Sequence, residues 1–167
     1  MHSPGFTLIE LVVVVLVLGV LAAVLVPRTN TGAVILSTQA EQFAADIRYA
    51  QSLAMTQGWS GVPPVRRTYS ITFNATGYSF VDGSGIAVTH PSGQPSPVLF
   101  AAGVTISPFP PSPALATNVS FDGLGMPYST VIAGSPFSAV ATISMVGQGG
   151  SSRAIKIYPA TGMVDVP

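Results

Sequence analysis

Glu10 is a carboxylate set near the start of an otherwise apolar run. From Phe6 to Val26 the only strongly polar side chains are Thr7 and Glu10. An acidic group in such a run costs up to about 2.5–3.5 kcal/mol at mid-membrane, less near the interface. The chemistry it invites is ion pairing with a cation. The other groups able to do chemistry are few. The histidines are His2 and His90. Asp82, Asp122 and Asp165 are scattered and do not match the spacing of a calcium loop. Gly123-Leu124-Gly125 and Gly147-Gln148-Gly149-Gly150 are glycine-rich, but neither lies between a strand and a helix, so they read as turns and not as phosphate cradles. There is no G-x-S-x-G nucleophile elbow and no H-E-x-x-H. Asn74-Ala75-Thr76 and Asn118-Val119-Ser120 match the glycosylation sequon, and turn or strand-edge roles explain them better. The chain is expected to be no enzyme and to hold no metal or cofactor.

Composition points the same way. The chain has 167 residues, of which 48% are hydrophobic and 7% charged, against a usual charged share of about 25%. Net charge is zero, so no global attraction to nucleic acid or anionic lipid follows. Cysteine is absent, which removes disulfides and thiol chemistry. Arg66, Arg67, Arg153 and Lys156 are the basic residues beyond the helical half. Arg66 and Arg67 are the candidate ligand patch. Strand alternation argues against pooling all four, because Arg153 and Lys156 differ by three positions. Four or fewer phosphate contacts would also bind DNA weakly.

The elements that must position these groups follow from periodicity. Phe6 to Val26 would form about 31 Å of helix, close to the thickness of a bilayer core. Gly19 is a weak point in it, and Pro27 breaks or kinks it. The helical pattern resumes near Ala33. Leu36, Ala40, Phe43, Ile47, Ala50 and Ala54 then form one apolar stripe. Glu41, Gln42, Asp46, Arg48 and Gln51 are expected largely off that stripe, and Gly58 is a plausible C-cap. From Thr68 the period changes to two. Thr68–Phe73 and Gly77–Val81 read as a hairpin. Further strands are expected at Val98–Phe100, Val104–Ile106, Val119–Phe121, Ala139–Met145, Ala154–Tyr158 and Gly162–Val166, with Gly162 at a positive-φ turn position. The proline-rich stretch from Pro91 to Pro113 reads as an irregular loop with at most short edge strands.

The N-terminal run fits a cleaved secretory signal poorly, since no Lys or Arg precedes it and no A-x-A site follows. A plain anchor whose Glu10 snorkels to the headgroups is a second reading. The third rests on GFTLIE, which together with the apolar helix behind it resembles the start of type IV pilins and type II secretion pseudopilins. That resemblance implies cleavage by a prepilin peptidase between Gly5 and Phe6, where the bare glycine backbone suits a protease. It also implies N-methylation of Phe6, and neutralisation of a neighbouring subunit's terminal amine by Glu10. It implies that Gly19 to Pro27 loosens on assembly; a simple kink at the membrane exit is the other reading. LAMTQG, VSFDGLGMPYS and RAIKIYPATGMV further resemble the GspH/FimT family of pseudopilins and minor pilins. MHSPG departs from the usual leader in lacking Lys and Arg. Either the processing machinery sets the orientation, or the leader is longer.

The expected fold is α+β: a long N-terminal helix, its first half transmembrane, packed on an antiparallel β-sheet or small β-sandwich. Residues 1–5 are the expected leader, 6–27 the transmembrane and assembly helix, 28–58 its amphipathic continuation, and 59–167 a β-rich globular domain. The resemblance implies a structural minor pilin or pseudopilin that spans the bacterial inner membrane once and carries its globular domain in the periplasm. Its implied partners are other subunits, the prepilin peptidase/methyltransferase, the inner-membrane assembly platform and lipid. A filament-tip receptor or DNA-binding minor pilin is the alternative.

Overall fold

The apolar stripe after the first helix decides the fold of the larger unit. The computed structural model describes residues 7–25, 31–57, 59–60, 65–66, 69–83, 85–90, 92–94, 96–109, 117–129 and 136–167. Two α-helices are present among them, α1 (Leu8–Leu25) and α2 (Thr31–Gln57). The predicted stripe is the buried face of α2: Leu36, Ala40, Phe43, Ile47, Ala50 and Ala54 are all essentially inaccessible, with Ala44 beside them. Four of these seven are alanine, so the helix axis can approach a sheet closely. Phe43 supplies the bulk, its ring centroid 4.6 Å from Tyr78, 5.5 Å from Phe100 and 6.1 Å from Phe73.

The strands are β1 (Trp59–Ser60), β2 (Val65–Arg66), β3 (Tyr69–Asn74), β4 (Gly77–Val81), β5 (Val98–Leu99), β6 (Thr105–Ile106), β7 (Asn118–Phe121), β8 (Pro127–Tyr128), β9 (Ala141–Val146), β10 (Ser152–Ile157) and β11 (Val164–Asp165). All pairs are antiparallel. One sheet has the order β5-β4-β3-β7-β8, another β11-β10-β9-β6, and β1-β2 form a separate ribbon. The α2 helix packs on β3 and β7 of the first sheet and on β9, β10 and β11 of the second. Alternation is clean where both faces have distinct fates. In β9, Ala141, Ile143 and Met145 are buried, while Thr142, Ser144 and Val146 are partly exposed, as a half-buried strand requires.

The α+β class and the antiparallel sheets agree with the sequence reading. Two details differ. Asp46, expected off the apolar stripe, is buried; its spacing of three from Phe43 and four from Ala50 puts it on the inward face. The proline-rich stretch holds two short strands, as expected, yet Val98, Phe100, Val104 and Ile106 within it are core residues. Of the run from Phe6 to Val26 expected to be helical, α1 covers Leu8–Leu25, 18 residues spanning about 27 Å. Among the described residues no helix is long and apolar enough to cross a membrane. Phe6, Val26 and Pro27 lie outside the described residues, as does the expected cap Gly58. The chain divides into two units, residues 1–30 and Thr31–Pro167.

Candidate functional site

In the N-terminal unit, Glu10 occupies the first turn of α1 and is exposed. Its position has a local cause that sequence reading missed. Thr7 precedes the helix, its carbonyl accepts the amides of Glu10 at 3.1 Å and Leu11 at 3.3 Å, and its Oγ1 accepts the Glu10 amide at 3.4 Å. T-x-x-E before an apolar run is the sequence signature of a capping box. A carboxylate in the first turn also complements the positive end of the helix dipole. Glu10 has no ion-pair partner among the described residues. Around it α1 exposes leucine, isoleucine and valine in every direction, from Leu8 to Leu21. A helix apolar all round needs burial on all sides. Gly19 lies mid-helix with nothing within 4 Å of where a Cβ would stand, so no contact among the described residues requires glycine there. Gly5, Phe6 and Pro27 lie outside the described residues.

In the larger unit, three titratable side chains from three elements converge. Asp46 of α2 accepts from the Tyr78 hydroxyl of β4 and, at 3.0 Å, from His90 Nε2. The Ser92 amide donates to His90 Nδ1 at 3.1 Å, and Ser92 Oγ adjoins the same nitrogen. That pattern assigns the proton to Nε2. All three residues are at most 6% exposed. Burial, followed by the bond to Asp46 and its charge, pushes the Tyr78 phenol well above its ordinary value. Gly93 N–H bonds the His90 carbonyl at 2.8 Å, so the backbone around the imidazole closes into a turn. The arrangement acts as a lock that ties the segment around His90 to α2.

A raised tyrosine pKa makes stability depend on alkaline pH. The folded state holds the phenolic proton more tightly than the unfolded chain, whose tyrosine titrates near pH 10. The contribution is therefore complete below pH 10 and is lost as pH rises above it. Urea melts should show stability falling by up to about 1.4 kcal/mol per pH unit above 10 from this group. Tyr78→Phe should remove that part of the slope; an unchanged slope in the variant would assign it elsewhere.

The motif-bearing turns also converge. Gln51 Nε2 donates to the Gly125 and Thr161 carbonyls, each at 2.9 Å. It thereby fastens the Asp122–Met126 turn and the Pro159–Gly162 turn to α2. Gly162 has φ +64, and a Cβ there would stand 2.4 Å from both Gln51 Nε2 and the Gly125 carbonyl oxygen, so glycine is required twice over. Asp122 Oδ1 accepts the Leu124 and Met126 amides and Oδ2 the Tyr128 hydroxyl, which makes its role structural. Asn74 does the same for the β3–β4 turn, accepting the Thr76 amide at 2.8 Å. Arg48 donates to the Val164 carbonyl at 2.9 Å.

Arg153 and Lys156 have separate neighbours. Arg153 bonds the Pro167 carbonyl at 3.3 Å, while Lys156 lies opposite Asp165 across the β10–β11 pair. Arg66 lies in β2, its side chain outside the described residues, as is all of Arg67. Among the described residues no three His, Cys, Asp or Glu side chains could hold a metal ion.

No curated protein and no solved structure matches the chain. Residues 1–26 match the family model of the prokaryotic N-terminal methylation motif. That match covers Gly5, Phe6 and Glu10 and ends one residue before Pro27. It supports a type IV pilin-like protein, processed at its N-terminus by a prepilin peptidase.

Proposed function

We propose that this chain is a structural filament subunit, a minor pilin or pseudopilin related to the GspH/FimT proteins. It is cleaved between Gly5 and Phe6, methylated on Phe6, held in the bacterial inner membrane by the apolar run from Phe6 to Val26, and drawn from there into a type IV pilus or type II secretion pseudopilus. The carrying observation is the helix behind the methylation motif: α1 is apolar on every face, with Glu10 as its single charge. Lipid satisfies such a surface before assembly, and neighbouring helices of the same kind satisfy it afterwards. Glu10 then pairs with the terminal amine of a neighbouring subunit, because two opposite charges offset each other's desolvation when joined. The tightly locked β-rich unit fits a structural role, its buried polar groups being consumed in internal bonds.

Mass spectrometry of the N-terminus of the membrane-extracted protein tests this directly. The expected species begins at Phe6 and carries one methyl group. An intact MHSPG leader on protein produced beside an active prepilin peptidase overturns the reading.

A further inference from the structure

The hydroxyls of Ser37, Thr56 and Ser151 donate to backbone carbonyls. A carbonyl accepts such a bond but does not take the proton. Ser92 differs, because its Oγ lies 2.5 Å from His90 Nδ1, and an unprotonated imidazole nitrogen is a base. The other ring nitrogen, Nε2, is committed to Asp46 at 3.0 Å, which leaves the lone pair on Nδ1. Asp46 and His90 are buried, at 6% and 5% exposure, while Ser92 is exposed. A hydroxyl open to reagents in solution is thus coupled to a base and a carboxylate that are shielded from water. Hydroxyl, imidazole and carboxylate stand in the order of a nucleophilic relay. The ring nitrogens are exchanged relative to the serine hydrolase arrangement, in which Nε2 faces the serine and Nδ1–H the aspartate. Which nitrogen is the base depends only on the tautomer. The turn itself holds the pair in place, with the Ser92 amide donating to Nδ1 at 3.1 Å.

We propose that Ser92 is an activated nucleophile, the site at which this chain takes an acyl group from a neutral activated ester. His90 is its general base. Asp46 is a positioning residue that fixes the tautomer and balances the imidazolium. Ser92 Oγ bonds the acyl carbon while its proton passes to His90 Nδ1. The bond from that carbon to the leaving oxygen then breaks, and the leaving alkoxide takes the proton back from Nδ1. Ser92 ends as an ester and the imidazole returns neutral, with no oxidant or further reactant. The Ser92 amide loses its acceptor once Nδ1 is protonated, which frees it to donate to the carbonyl oxygen where charge develops. Charge selects acyl over phosphoryl donors. Asp46 brings a negative charge to the imidazole, and residues 82–100 contain no Lys or Arg, so the segment offers a phosphate no cation. A neutral ester asks for none. The site lies within one subunit and works without assembly, so it stands apart from the filament-subunit reading.

The full-length protein in non-ionic detergent, exposed briefly to para-nitrophenyl acetate, quenched in acid and mapped by peptide mass spectrometry, provides the test. Ser92 should be acetylated about a hundredfold faster than other exposed serines, the lower end of what a positioned general base contributes. In urea that unfolds the β-rich unit the preference should vanish, because His90 and Asp46 are then no longer held together. That comparison uses the wild-type chain alone and does not depend on a variant folding. His90→Gln should lose the preference. Asp46→Asn, which keeps an oxygen for Nε2–H but not the charge, should slow Ser92 acetylation while urea melts show the chain still folded. Acetyl groups spread evenly over exposed hydroxyls of the folded protein, or a Ser92 preference that persists in urea or in His90→Gln, overturns the proposal.

Discussion

Asp46→Ala should lower stability by about 3 kcal/mol and the melting temperature by about 10 °C, measured by thermal and urea denaturation. The substitution strands two donors inside the protein, the Tyr78 hydroxyl and His90 Nε2–H, both of which end on Asp46. Each orphaned donor costs about 1–3 kcal/mol. The loss is partly offset because a buried carboxylate no longer has to be desolvated. Asp46→Asn keeps one oxygen acceptor and a similar volume, so it should cost clearly less than alanine. The damage should also be local in a recognisable way. His90 packs on Phe80 with ring centroids 5.4 Å apart, so hydrogen exchange should rise first around residues 85–94 and in β4. If Asp46→Ala melts within about 2 °C of wild type, the network is not the lock described above.

The same residue shows where sequence reading falls short. The stripe on α2 was legible because Leu36, Ala40, Phe43, Ile47, Ala50 and Ala54 are apolar and hold a helical spacing. Asp46 holds that spacing too, and only its charge argued for the surface. Its partners, Tyr78 and His90, lie 32 and 44 residues away, on an element and a loop that nothing in local sequence brings to α2. His90 sits among glycine, serine and proline, where no period exists to assign it a face. The hairpins, by contrast, were legible. Period-two alternation in Ile143, Met145, Ile155 and Ile157 and the turn chemistry of Asn74 and Gly162 are local properties. Gln51 was missed for the same reason as His90: its bonds to Gly125 and Thr161 span 74 and 110 residues. For the candidate site, the motif at Gly5, Phe6 and Glu10 was readable from order alone, since processing enzymes read a linear segment. The Thr7 cap was readable from T-x-x-E and marks the one local feature overlooked there.

Glu10→Leu should abolish incorporation into filaments while leaving cleavage and membrane insertion intact or improved. The two effects have opposite physical signs. In the membrane, exchanging a carboxylate for leucine removes a cost and adds a favourable apolar side chain, so anchoring strengthens. In the proposed assembly, the same exchange deletes the one charge on α1 that would answer a neighbouring subunit's terminal amine. Fractionation should therefore find the variant in the membrane at wild-type level or above, and sheared filaments should lack it. A role confined to helix capping predicts something else. Thr7 Oγ1 and the Glu10 amide form the cap bond, and such bonds are worth about 1 kcal/mol. Thr7→Ala removes that bond without touching the charge and should assemble like wild type. Should Thr7→Ala lose filaments as fully as Glu10→Leu, the carboxylate acts through the start of its own helix and not through a partner.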